Sequence, residues 1–444
     1  MIYGGDGLAR LPADDRTADK QAADKKRSGK AVFVSFVLPG EKIDASLIEQ
    51  KPGFVRARAD AILEPSPHRA QPACPYFGQC GGCHYQHISY EQQLEIKKEI
   101  LRETLRRTAK LDLSYEIEVH PSPPWNYRNR SRLQVRTTPH FTAGYFKLAS
   151  HDLLPVEQCP ISSPLINRGI SALWQNGRAG KVPEGVHEVE FFANADDTQL
   201  LVELSCFAEA RRAAVREWAE DIRVSMPEIA GVLAMRETKQ GPSEKLVVVG
   251  ADHLTYQTQQ SPYRVSAGSF FQTNRHLTDE LVKIVTQGQS GTLAVDLYAG
   301  VGLFSTALAC DFHHVVSVES SQTSSTDLSY NQPPNGKAVQ ATAEQYLARL
   351  PKSARGGTGS VLPQVAQEPD LVVVDPPRSG LGESVARKLA NLGAPRVTYV
   401  SCDPATLARD LVYLLAAGYR VEQLHLMDLF PQTYHLETVV HLMK

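Results

Sequence analysis

Residues 294–305 read AVDLYAGVGLFS. Strand-forming residues run into Gly300 and Gly302, and an apolar helix start follows. Strand, glycine turn and helix in this order form the repeating unit of a parallel, doubly wound sheet. The segments around it fit that unit. HVVSVES, KAVQATA, PDLVVVDPP, RVTYVSC, YRVEQLHLMDLF and LETVVHLMK read as strands, most of them separated by helical stretches. An α/β fold of the Rossmann type is expected over 266–444. Ligands of such sheets sit beyond the carboxyl ends of the strands. The turn is not a dinucleotide fingerprint, because Ser305 fills the third glycine position. Glu319, about twenty residues on, ends the next strand, where an acid can take a ribose hydroxyl pair. An adenosine-type ligand without a pyrophosphate fits, and S-adenosylmethionine is one. On these residues alone, an ordinary strand-to-helix turn fits equally well.

Two further strands end at the same rim. VVVDPPRSGLG (372–382) stops at Asp375, where two prolines remove the donors a ladder would need. VSCDPATLARDL (400–411) sets Cys402 between a strand and a proline-led helix. Free cysteines are usually small buried hydrophobes, and Cys206 in LLVELSCF and Cys310 in LFSTALAC are read that way. Cys402 is set apart by its position, since the dipole of the following helix is expected to favour a thiolate there. Beside a methyl donor, such a thiolate could add to carbon 6 of uracil and make carbon 5 nucleophilic. A base would then remove the carbon 5 proton so that the thiolate could leave.

The 444 residues exceed one ordinary core, and three parts are expected. Residues 1–66 read as a small β-domain, interrupted at 12–30 by a charged stretch taken as a solvated loop. Residues 67–265 read as a mixed α+β domain, within which SYEQQLEIKKEILRETLRRTAKL (89–111) is an amphipathic helix. The net charge of −2 argues against a protein that coats nucleic acid non-specifically, but leaves room for a local basic patch. No apolar run is long enough for a membrane span, and the first residues carry no apolar signal region, so a cytoplasmic protein is expected. Seven cysteines without a secretion signal do not suggest a disulfide framework. Three of them cluster in CPYFGQCGGC (Cys74, Cys80, Cys83) and ask for a metal. Three cysteines with His84 or His87 would suit structural zinc.

FFQTN (270–274), DLYAGVGLFS, DPPRSGLG, SCDPATLARDL and FPQTYHLETV (430–439) stand in the order and spacing of the RNA uracil-5-methyltransferases, and the chain resembles that family over most of its length. The resemblance implies a TRAM-like β-barrel over 1–66. It implies Cys402 as nucleophile and Glu437 as the base. Gln272, Tyr298, Glu319 and Asp375 match positions that contact S-adenosylmethionine, and Phe270 matches the aromatic beside the site. Cys74, Cys80, Cys83 and Cys159 match the ligands of a structural 4Fe–4S cluster, which reverses the preference for zinc. The sequence departs from the pattern at Leu303, where many relatives are polar, and at Thr342, where an acid or amide often meets the adenine.

WNYRNRSRLQVRTTPHFTAGYFK (125–147) carries Arg128, Arg130, Arg132, Arg136 and Lys147 with no acid. Trp125, Tyr127, Phe141, Tyr145 and Phe146 are interleaved. Such a stretch can hold phosphates and stack splayed bases, although most charge runs are solvated faces. The expected activity is methylation of a flipped-out uridine in RNA. Large-subunit ribosomal RNA is preferred to transfer RNA, because the resemblance includes both the TRAM-like part and the cysteine set. The other readings are a non-catalytic RNA-binding assembly factor on the same fold and a cytosine-5 methyltransferase. Nothing in the sequence requires a membrane or a protein partner.

Overall fold

The computed structural model describes residues 1–10, 30–112, 116–238, 241, 243–350 and 368–444. The charged stretch at 12–30 lies outside these residues except for Lys30, as does the glycine-rich stretch at 353–368 except for Glu368.

An eight-stranded sheet organises the C-terminal half. From one edge its strands are Gly336–Gln340, Phe312–Glu319, Gly291–Leu297, Leu371–Val374, Arg396–Ser401, Glu437–Met443, Arg420–Met427 and Glu118–His120. The first five are parallel. Leu371–Val374 is buried throughout, as a strand covered on both faces must be, and its Leu-Val-Val-Val sequence suits that place. Glu437–Met443 runs antiparallel to both its neighbours. Its connection from Met427 is too short for a crossover helix, so the strand returns as a hairpin.

Two pieces of the 67–265 stretch belong physically to this sheet. The helix Tyr90–Thr104 buries Ile96, Ile100 and Leu101 in the same core as Leu407, Leu411 and Leu414 of the helix Pro404–Ala416. Burial of this apolar stripe is what fixes the helix against the sheet's core. Glu118–His120 then pairs with the edge of the sheet.

The central part is a seven-stranded sheet in the order Glu244–Gly250, Ile229–Arg236, Leu200–Cys206, Val186–Ala193, Arg130–Arg136, Thr142–Phe146, Leu153–Pro155. Helices Pro164–Arg178 and Arg212–Ser225 share its core. Cys206 is fully buried there, as expected. Cys310 is exposed, against expectation. The helix Leu303–Leu308 ends before it, so the thiol falls in the turn that follows.

The N-terminal residues form a four-stranded sheet, Asp6–Arg10, Ala31–Ser35, Phe54–Glu64, Lys42–Gln50, around Val32, Val34, Val37 and Val55. It occupies the place expected for the TRAM-like barrel. Its two edge strands do not pair with each other among the described residues. No helix among those residues is long and apolar enough to cross a membrane.

Candidate active site

The ends of four parallel strands bring Tyr298, Glu319, Asp375 and Cys402 to one rim. Leu297 is in register with both Val318 and Val374, and the Asp375 amide donates to the Leu297 carbonyl at 3.3 Å. Tyr298, Gly300 and Gly302 all take positive φ (65°, 56° and 96°), so the chain folds back sharply before the helix. A side chain on Gly300 would meet nothing within 4 Å, which leaves the outer face of this turn open to a ligand. The Glu319 carboxylate accepts from Gly300 N at 2.9 Å and Ser321 N at 2.6 Å, which fixes its direction at the turn.

Beneath the turn, Asp296 is fully buried. One carboxylate oxygen accepts from Ser305 Oγ at 2.5 Å, and the other has no partner. Burial pushes its pKa up to about 7. The residue that breaks the dinucleotide fingerprint is therefore the one that holds this acid. Of the two departures, Leu303 is buried and its carbonyl accepts from Tyr263. Thr342 and Gln345 form a reciprocal cap on the helix Ala343–Arg349.

The ladder between Arg396–Ser401 and Glu437–Met443 pairs Ser401 with Thr438. Cys402 follows Ser401 and Glu437 precedes Thr438, so both adjoin this last pair of the ladder, and the Glu437 charge acts on the Cys402 thiol. Glu437 is buried. Burial, and next the charge of Asp375, push its pKa well up, with Arg378 acting the other way. Asp375 rises to about 7 through burial and then the charge of Asp296.

The expectation of a dipole-stabilised thiolate is not met. Both Ala405 N and Thr406 N donate to Asp403 Oδ1, so the helix-start donors are taken. Burial, then Glu437 and Asp375, push Cys402 up to about 12, and Arg378 partly offsets this. Arg378 was given no role at the sequence level. Its signal was its place directly after the two prolines. It also contacts His435 Nε2 at 3.3 Å.

Gln272 is buried and Phe270 is 62% exposed. Their segment is tied to the rim by Ser266 and Ser269, whose hydroxyls donate to Asp327 of the helix following Glu319. The segment before Glu437 is held from several sides. Lys97 donates to Asp428, Tyr127 to the Pro431 carbonyl, and His84 N and Tyr85 N both donate to the Gln432 carbonyl.

Cys74, Cys80, Cys83 and Cys159 all line one cavity of about 510 Å³, together with Arg128 and Tyr145. His84 and His87 are not among its lining residues. Burial pushes Cys80 up to about 11 and Cys83 up to about 12. Thiolates at these positions require a compensating positive centre.

The basic stretch is less free than its composition suggests. Arg130 lies 3.2 Å from Glu190, donates to the Ser269 carbonyl and covers the Phe192 ring. Arg132 pairs with Glu190 at 2.8 Å and with Glu188 at 3.5 Å. The neighbouring strand Val186–Ala193 supplies both acids. Tyr127 is fully buried. Arg136, Lys147 and Phe146 are exposed.

The family described as tRNA (Uracil-5-)-methyltransferase matches residues 89–444. The chain belongs to this family. It is accordingly an RNA uracil-5-methyltransferase. A Vibrio parahaemolyticus protein named 23S rRNA (uracil(1939)-C(5))-methyltransferase RlmD is 32% identical, over 92% of this chain and 90% of its own length. An Aquifex aeolicus protein named as an uncharacterized RNA methyltransferase is 30% identical over 99% of this chain and 96% of its own. The crystal structure of the Pyrococcus abyssi tRNA (uracil-54, C5)-methyltransferase, in complex with S-adenosyl-L-homocysteine, superposes with a TM-score of 0.71. It is 23% identical and covers 93% of this chain and 97% of its own, which shows a shared fold.

Proposed function

We propose that this uracil-5-methyltransferase takes its methyl group from S-adenosylmethionine and passes it to a uridine of 23S ribosomal RNA in the cytoplasm, with Cys402 as nucleophile and Glu437 as base. The observation that supports this reading is that Cys402 and Glu437 both adjoin the Ser401–Thr438 pair, and that the charges of Glu437 and Asp375 both act on the Cys402 thiol. The cofactor side rests on chemistry the rim offers. The open face over Gly300, the fixed Glu319 carboxylate and the unpaired oxygen of Asp296 suit an adenosine-bearing ligand. Tyr298 and Asp375 follow the paired strand residues Leu297 and Val374 at that rim, and Gln272 belongs to the segment joined to Asp327.

In this scheme Cys402 sulfur, after losing its proton to water at the rim, bonds to carbon 6. The electrons of the carbon 5–carbon 6 double bond move toward the carbon 4 oxygen and then onto the methyl carbon, whose old bond electrons stay on the donor sulfur. Glu437 removes the carbon 5 proton. That electron pair restores the double bond and expels the thiolate. Arg378 is a cation whose charge acts on both Cys402 and Glu437.

For the cysteine cavity we favour a structural 4Fe–4S cluster held by Cys74, Cys80, Cys83 and Cys159. Among the described residues no three of these sulfurs fall within 4.8 Å of one another. Four thiolates on a single zinc would stand about 3.8 Å apart, so the cavity suits a wider group. The ribosomal target is favoured by the relative named for 23S rRNA. The fold shared with a tRNA enzyme keeps transfer RNA as the second reading.

A denaturing gel with RNA substrate and S-adenosylmethionine tests the scheme. Glu437→Gln should trap a protein–RNA adduct, because addition and transfer proceed and elimination stalls. Cys402→Ala should give neither adduct nor 5-methyluridine. Product formation by Cys402→Ala would overturn the covalent route. Mapping 5-methyluridine in ribosomal and transfer RNA from a deletion strain distinguishes the two targets.

A further inference from the structure

Two strands over from that of Glu437, the edge strand Glu118–His120 lies parallel to Arg420–Met427, with Glu118 in register with His425. Glu118 and His120 are two apart and share a face of the strand. A Glu118 oxygen and one nitrogen from each of His120 and His425 all lie within 4.8 Å of one another. Both histidines are buried, whereas Glu118 is exposed.

The protonation pattern suits a cation. His120 Nδ1 lies 2.7 Å from Glu280 Oε1, and a carboxylate there accepts the Nδ1 proton. His120 Nε2 is then left with a lone pair facing His425 Nδ1 at 3.1 Å. Two imidazole nitrogens bound to one tetrahedral zinc, at about 2.0–2.1 Å each, stand about 3.3 Å apart. Glu118 oxygens lie 3.4 Å from His425 Nδ1 and 3.8 Å from His120 Nε2. A hydrogen bond between the rings would place the single proton of His425 on Nδ1. A metal ion shared by the two rings uses both lone pairs, and Glu118 supplies compensating charge. A carboxylate behind a ligating histidine, as Glu280 stands behind His120, is the usual support of such a ligand. The cluster opens onto a cavity of about 840 Å³, which gives an ion a way in and leaves room for a water as fourth ligand.

We propose that Glu118, His120 and His425 bind one divalent transition-metal ion of the zinc class, with Glu280 orienting His120. The ion fastens the three-residue edge strand, which leads into the central sheet, onto the methyltransferase sheet. Imidazole and carboxylate donors select zinc, cobalt or nickel over magnesium or calcium.

The site has a signature separate from that of the cysteines. Cobalt added to the full-length protein, with its cysteine site already filled, should give the visible bands of four-coordinate cobalt bound by nitrogen and oxygen. Sulfur-to-cobalt charge-transfer absorption should be absent, and zinc should displace the signal at one equivalent. His120→Ala and His425→Ala should lose it. Because those histidines are buried, Glu118→Gln is the safer variant: it should weaken zinc at least tenfold and abolish the rise in melting temperature that zinc gives the wild type. No cobalt signal, or one unchanged in Glu118→Gln, overturns the proposal. So does a signal with sulfur charge transfer that disappears in Cys80→Ser.

Discussion

The ammonium of Lys97 donates to the carboxylate of Asp428 at 2.6 Å, in a place where neither side chain meets solvent. It also donates to the Phe430 carbonyl at 3.0 Å. Asp428 opens the segment that runs through Gln432 and His435 to Glu437, so a helix from far upstream holds the approach to the proposed base. Burial pulls the Lys97 pKa down and Asp428 acts against it. Removing one partner leaves an uncompensated buried charge, which costs about 3–5 kcal/mol. Lys97→Met should lower unfolding stability by that order and reduce methyl transfer. The double variant Lys97→Met/Asp428→Leu should recover much of the stability. Chemical denaturation of the three proteins checks this, and a single-variant loss below about 1 kcal/mol would contradict it.

The thiol of Cys402 is predicted to be slow to alkylate in the free protein at neutral pH. Burial and the charges of Glu437 and Asp375 hold it near 12, so the thiolate fraction grows only as pH rises. Removing a negative neighbour lowers that pKa, and removing Arg378 raises it. Iodoacetamide should therefore modify Cys402 faster in Glu437→Gln than in wild type at alkaline pH, where Glu437 is ionised, and more slowly in Arg378→Ala. Each unit of pKa change alters the rate about tenfold while the thiolate remains a minor species. Methyl transfer should likewise increase from neutral to alkaline pH, because both groups that must lose protons are raised. Equal alkylation rates in the three proteins would mean that the acids do not control the thiol.

The rim was legible because its signals are local. A strand running into Gly300 and Gly302, one ending at Asp375-Pro-Pro and one ending at Cys402 each declare a strand end within a few residues. What was not legible depended on distant partners. Arg130 and Arg132 read as free because the acids opposite them, Glu188 and Glu190, lie on a strand some fifty residues later that no local pattern pairs with theirs. The helix Tyr90–Thr104 was recognised, but its amphipathic face does not say which core it covers. The aspartate after Cys402 was in plain sight. Its side chain satisfies the same helix-start donors that a stabilised thiolate would need.

These pairings reassign the RNA contacts expected of the basic stretch. Arg136→Ala and Lys147→Ala should each reduce the slope of log binding against log salt by about one, because an exposed cation on a phosphate releases a counterion. Arg132→Ala should change that slope less, since its charge is already met by Glu188 and Glu190. Arg130→Ala should show mainly as lost stability, through the contacts to Glu190, Ser269 and Phe192. Filter binding across a salt series separates these outcomes, and equal slopes for wild type and Arg136→Ala/Lys147→Ala would place the RNA elsewhere.

The last prediction concerns removal of the group proposed for the cysteine cavity. Burial raises Cys74, Cys80 and Cys83, so at neutral pH their thiolates persist only while a positive centre is present. Protein purified without oxygen should be brown, with iron and acid-labile sulfide. Once the group is removed, Cys74, Cys80 and Cys83 should behave as protonated thiols that react slowly with disulfide reagents. The loss should reach the active site through the backbone, because the amides of His84 and Tyr85, just after Cys83, both donate to the Gln432 carbonyl at 2.9 Å. Stripped protein, and Cys80→Ser, should therefore lose folding yield first. Molecules that stay folded should show a looser segment 428–436 in hydrogen exchange, while Cys402 keeps its place on the neighbouring strand. Colourless, anaerobically purified protein with one equivalent of zinc in this cavity would rule out the cluster.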